Sequence, residues 1–393
     1  MREMDAEIAM LKRENESLRS LAQGGGELAV ERVWIERAEK EFGLRFLSNP
    51  IVHRIASEEL RDRVAAALES RFGPSGIDDR NEAYRLIGWL GSEDDLLAQL
   101  TVVRAVGARG WFDDVTGEAW VTDRFDADSI PDQAALVRLL ARILLHQHFP
   151  PPPAYPGDDA ARARDALHQG AAAGSEARFY AASARSIGFI PMKENTEVEQ
   201  LLASLPEFIQ GLTTFPVVEG KGLADTLHVR GNDVFQAAFR NPPQTTRAIL
   251  FPAEPAAAPQ ALNLPAMPEE PYLSESAGQL GLRLWLEPMG DVGLASEIAS
   301  CWKNDRYLLV PDGEASSAVL WEIELESKDA ADKLQAAALD RLAAMAGLEE
   351  SATLGKTEVS PGKRHLRIVR PSPTRIRFIN AAEATTAAGF GDK

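Results

Sequence analysis

The stretch from Gln133 to Phe149, QAALVRLLARILLHQHF, is apolar on nearly every side, and its exceptions are the residues that could do chemistry. Arg138 and Arg142 lie one helical turn apart, so they stack on one face, and His146 continues the row. Paired guanidinium groups bind carboxylates and phosphates in bidentate geometry. They cannot hold a metal ion, because arginine has no lone pair to give and stays protonated at any relevant pH. Histidine and glutamate can, and His146, His148, His168 and Glu176 together would make a relocated metal site, the basis of a hydrolase reading. Against it, His146 and His148 are two residues apart and point to roughly opposite faces of a helix. Purely structural arrangements also account for the row. It is then the helix's solvated side, or the arginines are neutralised inside the protein by Glu176 or a nearby aspartate. Nucleophilic chemistry has no foothold: Cys301 has no histidine near it in sequence, and no GxSxG elbow occurs.

The elements that must position this helix can be read from the flanking pattern. The four prolines at 150–153 stop it, because proline cannot continue the hydrogen-bond ladder. Ahead of it, GWFDDVTGEAWV at 110–121 predicts two short strands joined by a turn over Asp113–Gly117. A helix is expected over 57–72, with Ser57 as its cap and Leu60, Val64, Ala67 and Leu68 on one face. Further helices are expected over 82–90, 94–106, 158–185 and 195–211, the last interrupted or bent at Pro206. Residues 27–252 thus form a mostly helical domain, and 253–276 a Pro/Ala-rich connector. Residues 277–380 read as a separate α/β unit. Its helices lie at 293–302 and 328–345, its strands at 306–310, 318–325, 365–369 and 375–379, and a loose tail covers 381–393. The fold class is α+β.

Composition narrows the partners. The 393 residues include 59 acidic and 42 basic side chains, a formal charge of −17, which disfavours binding to a phosphate backbone. The basic stretch Lys363, Arg364, Arg367, Arg370, Arg375 and Arg377 has no interleaved aromatic set for stacking bases, and it reads as the solvated face of a sheet. No nucleic-acid partner is therefore expected. No apolar run approaches the roughly 20 residues of a membrane helix. The opening MREMDAEIAMLKRENESLRSL is too charged for a signal peptide, which predicts a cytoplasmic chain; an additional upstream segment would make it exported or membrane-anchored instead. Residues 1–23 read as a short coiled coil. Ile8, Leu11, Asn15 and Leu18 fall on its seam, and a buried Asn15 would favour a parallel homodimer.

Several segments, taken in order, resemble a family of bacterial and archaeal metallopeptidase-like proteins of the HExxH zincin group, whose central helix reads roughly HELxHALQDQHF. Leu144, Gln147, His148 and Phe149 match the tail of that motif. The segment at 110–121 is similar to the family's GFYDPxTGELYV, and ALHQGAA at 166–172 to its ALxEGDA. Phe215-Pro216 with Gly220 resembles FPYxxG, PPQTTRAILFP at 242–252 resembles PPxSTEQILHP, and CWKNDRY at 301–307 resembles GWGGDRY. The resemblance spans roughly 35–380 and implies a zincin-like helical core with a degenerate active-site helix at 132–149. It puts the two histidine ligand positions on Arg138 and Arg142, the general base on Leu139 and the third ligand on Gln169. Arginine, leucine and a neutral amide cannot bind zinc and activate its water. The resemblance therefore implies no metal, no cofactor and no catalytic residue. The expected protein is a pseudopeptidase whose groove, lined by Arg138, Arg142, His146 and Gln169, holds a protein partner or peptide.

Overall fold

The computed structural model describes residues 26–73, 76–187, 196–253, 269–348, 358–360 and 363–391, with isolated positions between 262 and 267. The coiled-coil segment, with Ile8, Leu11, Asn15 and Leu18, lies outside the described residues, as does most of the connector. The architecture is α+β, as the sequence pattern predicts.

Helix α1 (Arg32–Phe42) leads into strand β1 (Val52–Ile55) and helix α2 (Ser57–Phe72). Leu60, Val64 and Leu68 form the buried stripe of α2, as their spacing requires. Ser57 does not cap this helix. Its hydroxyl and its backbone N–H both donate to Asp123 at the end of the small sheet, and Ala56 takes the cap position. Helix α3 (Gly76–Ile87) and helix α4 (Leu96–Ala105) follow, and Asp95 caps α4 by accepting from the Ala98 N–H at 2.7 Å.

The expected hairpin forms from β2 (Gly110–Phe112) and β3 (Ala119–Thr122), with Asp113 accepting from the Val115 N–H across the turn at 2.8 Å. A third strand was not expected: β1 pairs parallel with β3, giving the order β1-β3-β2. Helix α5 (Ile130–His148) carries the arginine row, and the long helix α6 (Asp158–Ile187) packs along it. Pro206 interrupts the next helix, the first of the two expected outcomes. It separates α7 (Thr196–Ala203) from α8 (Glu207–Phe215). A π-helical turn, Pro216–Gly220, then crosses α6 so closely that a Cβ on Gly170 would lie 2.2 Å from the Gly220 carbonyl carbon. Glycine at both positions is what permits the crossing. Helices α9 (Lys221–Val229), α10 (Asn232–Arg240) and α11 (Thr246–Leu250) complete this half.

The C-terminal half begins with β4 (Leu273–Glu275), α12 (Gly278–Leu286) and α13 (Val292–Ser300). Strands β5 (Trp302–Pro311) and β6 (Ser317–Leu325), helix α14 (Lys328–Met345), and strands β7 (Glu358–Val359), β8 (His365–Ser372) and β9 (Arg375–Ala381) follow. The strands make an antiparallel sheet of order β4-β5-β6-β9-β8-β7. Residues after Ala381 are not a loose tail: α15 (Ala384–Gly391) inserts Ala387 and Phe390 among Leu308, Leu320 and Ile379. The basic stretch is not a solvated face either. Arg377 is buried against Glu322 at 2.7 Å, Arg370 pairs with Asp332, and Arg367 donates to the Ala387 carbonyl, so these arginines tie α14 and α15 to the sheet.

The two halves share one core, so residues 277–380 do not stand apart from the helical part. Trp89 stacks on Phe208 at 4.7 Å and lies 5.2 Å from the Trp321 ring, and Trp285 donates to the Ile87 carbonyl at 2.8 Å. Among the described residues no helix is long and apolar enough to cross a membrane.

Asp159 sits in this shared core and gives a pH signature. Burial pushes its carboxyl up to about 7 against two hydrogen bonds from Thr246 that pull it down, and Asp305 adds to the rise. The folded value thus lies above the unfolded value of about 3.9. The fold favours the neutral form, so stability is greatest below the unfolded value and is lost as pH rises toward the folded one, by on the order of 4 kcal/mol. Asp159→Asn is expected to flatten the fall in melting temperature between mildly acidic and neutral pH. An unchanged pH profile in the variant would refute this assignment.

Candidate functional site

Several elements converge on a groove of about 470 Å³ beside α5. Helix α5 contributes Arg138, Leu139 and Arg142, α6 contributes Gln169 and Glu176, the end of α4 contributes Arg104, and the β2–β3 turn contributes Asp114. Thr213 of α8 closes one side. Three of the four groove residues expected from sequence (Arg138, Arg142 and Gln169) therefore meet in one place, as does Leu139.

The arginines are held by internal ion pairs. Arg138 bonds to Glu176 at 3.3 Å, and the buried Arg142 pairs with Asp114. Burial pushes the Glu176 carboxyl up, with Arg138 opposing. Burial also pushes the Arg142 guanidinium down to about 10, against the pull of Asp165 and with Arg104, Arg71 and Arg164 adding to the fall. It remains a cation at neutral pH. Leu139 packs as hydrocarbon: a Cβ on Gly110 would lie 2.8 Å from its Cδ1, so this side chain is packed against strand β2.

Sequence reasoning missed Arg104, and it is the group that most changes the groove. Among the described residues its guanidinium has no hydrogen bond or ion pair, and the Gln169 amide has none either. Burial pushes Arg104 down to about 10, with the Arg71 charge adding to the fall. No spacing rule connects residue 104 with residues 138–142, because α4 and α5 meet only in the folded chain. Arg109 also lines the groove and pairs with Asp132 at 2.7 Å.

His146 is not part of this groove. The Phe112 ring separates it from Arg142: the guanidinium carbon lies 5.0 Å from the ring centroid, and the imidazole packs edge-on at 5.7 Å. His146 instead faces a neighbouring cavity with His168. His148 turns the other way and bonds through Nε2 to the Arg45 carbonyl at 2.7 Å, while Gln147 accepts from the Leu47 N–H at 2.8 Å. The polar tail of α5 is thus a clamp on the loop after α1. The relocated set His146, His148, His168 and Glu176 does not assemble, and the described residues contain no group of three or more His, Cys, Asp or Glu that could hold a metal ion.

A family described as a domain of unknown function (DUF8575) matches residues 270–389. That range coincides with the larger sheet and the helices around it, from just before β4 into α15, and it excludes the arginine groove. No curated protein and no solved structure matches the chain.

Proposed function

We propose that the protein is a non-catalytic relative of zinc metallopeptidases that binds a protein partner or peptide through the arginine groove, with a carboxylate such as a peptide C-terminus as the recognised group. The observation that carries the reading is Arg104, a half-buried guanidinium on the groove wall with no acceptor among the described residues. A half-buried charge without a partner is incompletely solvated, and a carboxylate that accepts two parallel N–H bonds would satisfy it. Gln169 stands beside it with an unused amide that can serve the second lone pair. The positions that the family resemblance aligns with zinc ligands carry arginine and glutamine, so the groove attracts anions where a peptidase would hold a dication.

Arg104→Met should separate binding from folding. Removing a half-buried charge that makes no ion pair is expected to leave stability equal or higher, while affinity for short peptides with a free C-terminal carboxylate falls about tenfold. Fluorescence anisotropy with randomised short peptides, as free acids and as C-terminal amides, reads both effects when combined with thermal melts. Equal binding of acids and amides by the wild-type protein would sink the proposal.

A further inference from the structure

Behind the β2–β3 hairpin lies a second cavity of about 190 Å³, rimmed by Pro151, Pro152, Pro153 and Pro156. His146 from α5 and His168 from α6 both line it, and each has a buried Nε2 without a hydrogen-bond partner. His168 is only 6% exposed. Buried ring nitrogens are normally satisfied, so two unpartnered imidazoles on the wall of one void point to a ligand or ordered water. We infer that this cavity is a binding site for a small oxyanion, a phosphate or a short carboxylate, held by the His146 and His168 imidazoles together with the Arg164 guanidinium.

The charges around the void select an anion. Arg71, Arg164 and Arg142 lie on or beside it against Asp165 and Asp114, and both carboxylates are already engaged, Asp165 by Arg71 at 2.7 Å and Asp114 by Arg142. Arg164 donates from Nη2 to the Phe149 carbonyl at 2.6 Å, and its other N–H groups have no partner among the described residues. Arg164 thus keeps N–H groups on the cavity wall that can donate to an oxyanion and cannot ligate a metal cation. Burial holds both imidazoles below their usual range, His168 well below, with Arg164 and Arg142 adding to the effect on each. Neutral imidazoles can each turn an N–H toward an oxyanion. The cavity is less than half the volume of the arginine groove, which suits a small oxyanion better than a peptide.

The site shares only Phe112 and Asp114 with the groove, and none of His146, His168 and Arg164 lines the groove, so the two readings can fail independently. The test is a titration of the isotopically labelled full chain, following imidazole nitrogen shifts by NMR, with inorganic phosphate in one arm, acetate in another and sodium chloride as the control. Saturable shifts confined to His146 and His168 are expected with phosphate or acetate, and the stronger arm identifies the oxyanion. Arg164→Gln, which leaves the buried histidines in place, should weaken binding about tenfold. Arg104→Met should leave the titration unchanged. The inference is overturned if neither anion gives a saturable shift at millimolar concentration, if His53 moves in parallel with the other two, or if Arg164→Gln binds like the wild type.

Discussion

Replacing Arg80 by alanine is expected to cost about 3–5 kcal/mol of folding stability. Arg80 is buried, with Nε donating to Asp158 at 2.9 Å and Nη2 donating to Glu275 at 2.8 Å. The hydroxyls of Tyr84, Tyr155 and Tyr307 also donate to Asp158, at 2.9, 2.8 and 2.7 Å. These residues come from α3, the loop before α6, α6 itself, β4 and β5, so the network joins the helical half to the sheet. Burial alone would push the Asp158 carboxyl up. Arg80 and Arg162, with the hydrogen bonds from Tyr307 and Tyr155, outweigh it and hold the group at about 2. Removing Arg80 leaves two buried carboxylates short of their main cation. The deficit should be largest at neutral pH and should shrink in acid, where the variant's Asp158 takes up a proton. Arg80→Lys should fall between, since an ammonium cannot span both carboxylates in the planar geometry of the fork. Urea unfolding reads these differences. A deficit below about 1 kcal/mol would place the network with ordinary surface pairs and contradict its structural role.

Asp305→Asn should be comparably damaging, on the order of 3–6 kcal/mol. The Asp305 carboxylate accepts from the Ser276 hydroxyl, the Ala277 and Gly278 N–H groups, and the indole N–H of Trp302 and of Trp321. Every one of these partners is a donor. An asparagine amide keeps one acceptor oxygen and turns its NH₂ toward donors that then have nothing to bond. Because Trp321 packs against Trp89 and Trp285, the disturbance reaches the aromatic core between the halves. Thermal melts and tryptophan fluorescence should change together. Wild-type stability in the variant would mean that the carboxylate charge is not needed there.

Some of the fold could be read directly from the chain because local signals agreed with tertiary demands. The proline run ends α5, the turn residues between 113 and 117 set the hairpin, and α14 occupies 328–345 as its pattern predicts. Strand β1 was not legible: four residues, VHRI, carry no distinctive period, and their partner β3 is distant in sequence. Helix α15 was missed for a related reason. Its Ala, Thr and Gly content resembles a tail, and what orders it is the burial of Phe390 and Ala387 against strands formed elsewhere.

The candidate site was legible where its residues share a helix and obscure where they do not. Arg138 and Arg142 stood out from spacing, Leu139 only through the family resemblance, and Glu176 was a natural partner for an arginine. Asp114 could be anticipated only as an unnamed nearby aspartate, and Arg104 had no signal. His146 was grouped with the arginines because it continues their row, but the Phe112 ring sends it to a different cavity.

The central claim is that the groove is arginine-lined and does not support metal-activated hydrolysis. Its most direct test is the metal content of the purified full chain after growth with added zinc, measured by elemental mass spectrometry. Near-zero zinc is expected, because the positions aligned with ligands are Arg138, Arg142 and Gln169. A stoichiometry approaching one zinc per chain, retained through dialysis and unaffected by mutation of surface histidines, would contradict the non-catalytic reading.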